Sequence, residues 1–199
     1  MKRGGWVYIL TVLFSCAVIH AQTTTRASQQ LGHDWWMSAG TGERHGFLNG
    51  YLDCKFPKPG ASVKGYGLSV RDLSSRIAAF YAAHKESNLS VLQLVDKIDG
   101  PAPPPPSLPG AEVYTNPHGY YDGLWWRGAF GGEQPGYVEG YLVCLGHPVA
   151  KPAAQRLAEA VSDWYRKHPS KDDRAIAYVL EDILKAKKGS HHCENSVPH

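Results

Sequence analysis

The sequence predicts an all-α protein made of two similar three-helix units, related by internal duplication and joined by a proline-rich linker. Three observations predict it. Residues 35–54 match residues 125–144 at an offset of 90 without a gap. Downstream of each match, apolar residues recur at helical spacing. Nothing in the chain alternates with a convincing strand period, although residues 111–114 are readable as a short extended piece.

The match is ordered along the chain. Trp35 and Trp36 fall on Trp125 and Trp126, and Gly42-Glu43 on Gly132-Glu133. Gly46-Phe47 falls on Gly136-Tyr137, Gly50-Tyr51-Leu52 on Gly140-Tyr141-Leu142, and Cys54 on Cys144. After the cysteines the offset drops to 84, where Leu73, Ile77, Phe80, Tyr81 and His84 fall on Leu157, Val161, Trp164, Tyr165 and His168. At an offset of 85, Val91 to Ile98 falls on Ile176 to Ile183. Ordered agreement at near-fixed spacing is the mark of a duplicated unit.

The chain opens with Lys2 and Arg3, an apolar run from Trp6 to Ile19, and then His20-Ala21-Gln22. This is the layout of a secretory signal peptide over residues 1–21, cleaved after Ala21. The run is shorter than the roughly 20 residues that span a bilayer. Loss of Lys2 and Arg3 lowers the formal charge from +3 to +1. A nearly neutral chain lacks the basic stripe of nucleic-acid binders, so no nucleic-acid partner is expected. No later stretch is long and apolar enough to cross a membrane. The expected location is secreted or periplasmic.

The first unit covers residues 22–98. Its helix one runs from Glu43 to Lys55. Helix two opens at Ser69, an N-cap with Asp72 three residues on, and carries Leu73, Ile77, Phe80 and Tyr81 at helical spacing. Helix three opens near Ser90. Residues 99–111 form the linker, whose run Pro103-Pro104-Pro105-Pro106 favours extended polyproline. The second unit covers residues 112–186. Its helix one runs from Glu133 to Leu145, helix two starts near Pro152, a residue suited to a first turn, and helix three opens near Asp172. Residues 187–199 are polar, unpatterned and expected to be disordered.

The glycines in helix one are costly, at about 1 kcal/mol each relative to alanine. Residues i, i+4 and i+8 share a helix face, so Gly46, Gly50 and Cys54 form a groove of small residues. Gly136, Gly140 and Cys144 form its counterpart. Two packings are open. Each groove accepts the other, bringing Cys54 and Cys144 within disulfide reach in an oxidising compartment. Alternatively, each accepts a helix of its own unit and the cysteines are buried as small apolar groups.

The repeated pattern Gly-aromatic-x-x-Gly-Tyr-x-x-Cys, followed by an amphipathic helix with a late aromatic and a short apolar helix, resembles the Rap/Tai immunity-protein family. The resemblance covers residues 43–98 and 133–184. It implies a small exported helical protein, and for some members a role in blocking amidase toxins.

The sequence carries no zincin, nucleophile-elbow or phosphate-loop motif, and no cofactor is expected. His84 and His168 stand at equivalent helix ends and Glu43 and Glu133 in equivalent first turns, where each complements the helix dipole. His191, His192 and Cys193 have ligand types for a soft metal but stand in the tail. Aromatic residues enriched at binding hot spots make Trp35, Trp36, Trp125, Trp126, Tyr120 and Tyr121 the partner-binding candidates. The tryptophan pairs precede helix one on irregular segments, so one tryptophan of each pair is expected to enter the core while the other faces out. The function expected is binding of another protein, as an inhibitor or immunity protein. The alternatives are an envelope enzyme of unknown class and a metal-handling protein working through its tail.

Overall fold

Helix-forming sequence dominates the residues described by the computed structural model, 31–55, 69–98, 121–147 and 150–193, with backbone alone from 187 to 193. The signal-peptide segment, the proline-rich linker, residues 111–114 and Tyr120 lie outside the described residues. Among the described residues there are eight α-helices and no strand. They are α1 (His33–Ser38), α2 (Thr41–Lys55), α3 (Val70–Ala83), α4 (Val91–Lys97), α5 (Gly123–Gly128), α6 (Glu133–Cys144), α7 (Lys151–Lys167) and α8 (Ile176–Cys193). The fold is all-α.

The helix starts follow local chemistry. Ser69 Oγ accepts from the Asp72 amide at 3.1 Å and donates to the Asp72 carboxylate at 2.7 Å. Ser90 and Gln93 form a full capping box at the start of α4. Pro135 occupies the first turn of α6, where a missing N–H costs no helical bond. Helix α8 starts at Ile176, later than the Asp172 start expected. Residues 169–171 form a 3-10 turn, the Asp172 carboxylate is taken by Arg127, and its carbonyl accepts from the Gly123 amide. The backbone of α8 continues as helix to Cys193, past the point where the apolar pattern stops.

Sequence reading placed the tryptophan pairs on irregular segments. They stand instead on the short helices α1 and α5. Asp122 caps α5, its Oδ1 accepting from the amides of Leu124 and Trp125. Six residues give too short a window for a helical period to show.

The chain divides into two compact units, crossing between them after Ser38, inside α3 between Arg76 and Ile77, and after Ile98. The first holds residues 31–38 and 77–98 of the described chain. Its buried apolar residues are Leu31, Trp36, Ile77, Tyr81, Val91, Leu94 and Val95. The Val91 amide donates to the Leu31 carbonyl at 2.8 Å, and the Tyr81 hydroxyl to the Leu89 carbonyl at 2.9 Å.

The second unit holds α2, the start of α3, and α5 to α8. Its core gathers Trp126, Tyr137, Val138, Tyr141 and Leu142 with Leu157, Val161, Tyr165, Ile176, Val179 and Leu180. The Ile176 amide donates to the Tyr121 carbonyl at 2.9 Å, and the Tyr165 hydroxyl to the Arg174 carbonyl at 2.6 Å. This division does not follow the two sequence repeats, because α2 packs with α6.

Helices α2 and α6 meet through their glycines. A methyl group at Gly46 would overlap the Glu133 carbonyl, and one at Gly136 would lie 2.5 Å from the Glu43 carbonyl. One at Gly50 would overlap the Tyr137 carbonyl, and one at Gly140 the Phe47 carbonyl. The contacts are reciprocal, each groove seating the other helix's backbone. Near the end of this seam Cys54 and Cys144 are joined by a disulfide with Cα atoms 6.1 Å apart.

Candidate functional site: exposed aromatics and a buried polar seam

The partner-binding candidates separate by burial. Trp36 is fully buried and Trp126 is 1% exposed. Neither is available to a partner, which corrects the expectation for these two residues. The physical reason lies in the helical turn, which turns the second tryptophan of each pair inward while the first stays half-buried. Trp126 also uses its indole N–H internally, donating to Ser162 Oγ at 2.9 Å.

Trp35 and Trp125 are half-buried. The Trp125 ring lies 4.9 Å from Tyr121 and 5.7 Å from Tyr137, between ring centroids. The Tyr121 hydroxyl donates to Asn49 Oδ1 at 2.7 Å. Its edge is therefore spent on α2, and burial pushes its hydroxyl pKa up. Trp125 and Tyr121 thus act first as packing residues of their own unit.

The exposed apolar groups of this unit are others, which sequence reasoning did not single out: Leu124, Phe130, Leu145 and Tyr178. Phe130 is 78% exposed yet firmly held. Its amide donates to Glu133 Oε2 at 3.0 Å and its carbonyl accepts from the Glu133 amide at 3.1 Å. Gly131 and Gly132 follow with φ of 59° and 93°, a conformation that favours glycine. The readable signal was a lone phenylalanine before Gly-Gly, where a turn leaves a large side chain no core to enter. In the first unit Met37 is exposed beside half-buried Trp35.

The α2–α6 seam carries the polar chemistry. Asp53 is 9% exposed, and its Oδ2 accepts from the Tyr137 hydroxyl. Burial raises its pKa to about 6, with the tyrosine bond opposing. Glu139 is raised to about 7, first by burial and then by the Glu43 carboxylate, with Lys151 opposing. The Lys151 ammonium bridges to Glu43 at 2.7 Å. Burial lowers His45, helped by Arg71 and Arg44. The Tyr141 hydroxyl donates to Glu181 at 3.0 Å.

Glu43 and Glu133 stand in the first turns of α2 and α6. His84 Nδ1–H donates to the Phe80 carbonyl at 3.0 Å and His168 Nδ1–H to the Trp164 carbonyl at 2.8 Å. Each histidine ring also stacks on the aromatic four residues earlier. His191, His192 and Cys193 stand on the last helical turn of α8, and their side chains lie outside the described residues. Among the described residues no three His, Cys, Asp or Glu side chains gather as a metal would require. No helix there is long and apolar enough to cross a membrane. No family model, curated protein or solved structure matches the chain.

Proposed function

We propose that the chain is an exported, non-catalytic helical protein that binds another protein in the cell envelope or outside the cell, as an inhibitor or immunity protein. The observation that carries this reading is Phe130: a large apolar side chain, 78% exposed, on a turn tied to Glu133 through both backbone groups. A rigid exposed aromatic loses little entropy on docking, which suits a hot-spot anchor. Export draws support from the Cys54–Cys144 disulfide, since such bonds persist in oxidising compartments. The resemblance to the Rap/Tai family points the same way.

We further propose that the chain arose by internal duplication, and the paired contacts support it. Trp36 and Trp126 are both buried, and their amides donate to the carbonyls of Gly32 and Asp122. The amides of Val91 and Ile176 reach Leu31 and Tyr121. Phe47–Tyr51 and Tyr137–Tyr141 stack alike, at 6.4 and 6.3 Å. Each of these pairs stands at the offset seen in the sequence repeat.

The test is photo-cross-linking in native cells with a reactive residue at position 130, combined with fractionation of the envelope. The expected result is a discrete adduct outside the cytoplasm from position 130 and none from a reactive residue at exposed Arg166. Full-length, reduced protein confined to the cytoplasm would refute export. The same adduct from both positions would refute Phe130 as the anchor.

A further inference from the structure

Among the described residues, two carboxyl groups in the α2–α6 seam, Asp53 and Glu139, have pKa values raised chiefly by burial. Asp53 is 9% exposed, and its hydrogen-bond partner among the described residues is a phenol, the Tyr137 hydroxyl. Its charge also bears on the Tyr141 and Tyr121 hydroxyls. An ionised carboxylate buried against a hydroxyl carries a large desolvation cost that a proton removes. Farther along the seam, Glu139 of α6 is half-buried, and after burial the Glu43 charge of α2 raises its pKa while Lys151 of α7 lowers it. Lys151 is committed to Glu43, 2.7 Å from one oxygen and 2.9 Å from the other. Glu133 is also raised by burial, and Glu181 on α8 approaches the seam through Tyr141. Other charges on or against α2 are Arg44, Arg71 and His45, which bear on one another, and Lys55 in its last turn, whose ammonium lies 5.6 Å from the Tyr51 ring centroid.

We propose that the α2–α6 seam is an acid-tightened clasp, in which protonation of the Asp53 and Glu139 carboxyls holds the two helices together more firmly than their ionised forms do. The glycine contacts leave the helices no slack, so a charge in the seam is relieved by protonation or by separation. The disulfide keeps α2 and α6 tethered while the seam loosens. The sign is set by linkage. Both carboxyls titrate higher in the folded chain than unfolded, at about 6 against 3.8 for Asp53 and about 7 against 4.5 for Glu139. The folded state binds more protons across that interval. Their stabilisation is therefore complete below about 4 and is lost as pH rises through 6 and 7. His45, whose pKa is lowered, works against this trend below its ordinary value.

The experiment is urea unfolding of the oxidised full chain at pH 8 and pH 5, with amide exchange over residues 46–54 and 136–144 corrected for intrinsic rates. For the wild type the folded-to-unfolded ratio is expected to rise on the order of tenfold or more between pH 8 and pH 5. Asp53→Asn and Glu139→Gln should each remove part of the rise, and the double variant nearly all of it, with His45 unchanged as an internal reference. A double variant that keeps the wild-type profile overturns the proposal. So does a wild type that weakens toward pH 5. Carboxyl NMR of the wild type decides the matter even where a variant fails to fold: an Asp53 resonance titrating at its ordinary value overturns the clasp, and one titrating near 6 supports it.

Discussion

A single methyl group separates glycine from alanine, and at Gly50 that methyl has nowhere to go. It would overlap the Tyr137 carbonyl, a backbone atom that moves only if the whole of α6 moves. Helix propensity favours alanine by about 1 kcal/mol, but overpacking of this kind costs about 1–3 kcal/mol and sometimes more. Contact therefore outweighs propensity at this position. Gly50→Ala is expected to lower stability by about 2 kcal/mol, read as a fall in the urea midpoint. Gly128 is the internal comparison, with open space around it and no positive φ. Gly128→Ala should be neutral or slightly stabilising, and equal losses at the two positions would refute the account. The small-residue grooves were legible beforehand, because close helix approach demands small residues at i, i+4 and i+8 and the chain shows them twice, but which helix each groove would seat was left open between two packings. The fate of Asp53 was not legible. It stands next to Cys54 on a helix with apolar residues on several sides, and nothing local told that its carboxyl would be covered by Tyr137 from 84 residues away.

Helix starts are where side chains substitute for missing backbone partners, and Asp122 does so for α5. It is fully buried, and its Oδ1 receives two amides of the first turn. Removal of such a cap costs about 1–2 kcal/mol, and here it also frees the turn that carries Trp126 into the core. Asp122→Ala should lower the unfolding midpoint and shift tryptophan emission to the red, while Asp122→Asn should retain most of both. Emission unchanged in the alanine variant would separate the cap from the seating of Trp126. The short helices α1 and α5 also mark the limit of sequence reading. A two-tryptophan segment of six residues has no measurable period, so the pairs were read as irregular and all four rings as partner candidates. One turn of helix fixed the outcome, sending Trp36 and Trp126 inward. Longer elements such as α3 and α7 were readable because several turns repeat the same apolar spacing.

At the scale of the molecule, one covalent link carries much of the architecture. The Cys54–Cys144 bond lies within the second unit, yet the loop it closes contains α4 and the C-terminal half of α3, which belong to the first. Opening the bond enlarges the unfolded ensemble by the freedom of a loop whose ends are 90 residues apart. The chain-entropy estimate for that freedom is about 4–5 kcal/mol, an upper bound when the reduced chain keeps residual structure. The native seam loses few contacts, because the glycine faces already hold α2 against α6. Cys54→Ser combined with Cys144→Ser should therefore leave the helical circular dichroism intact at low temperature while lowering the urea midpoint strongly. Non-reducing peptide mapping of the wild type should find residues 54 and 144 in one linked peptide. Thiol titration under denaturing conditions should count two free cysteines in the 199-residue chain, Cys16 and Cys193, and one if export removes residues 1–21 as proposed. A double variant as stable as the wild type would mean that the glycine contacts alone hold the fold. A link that includes Cys193 would contradict the Cys54–Cys144 pairing.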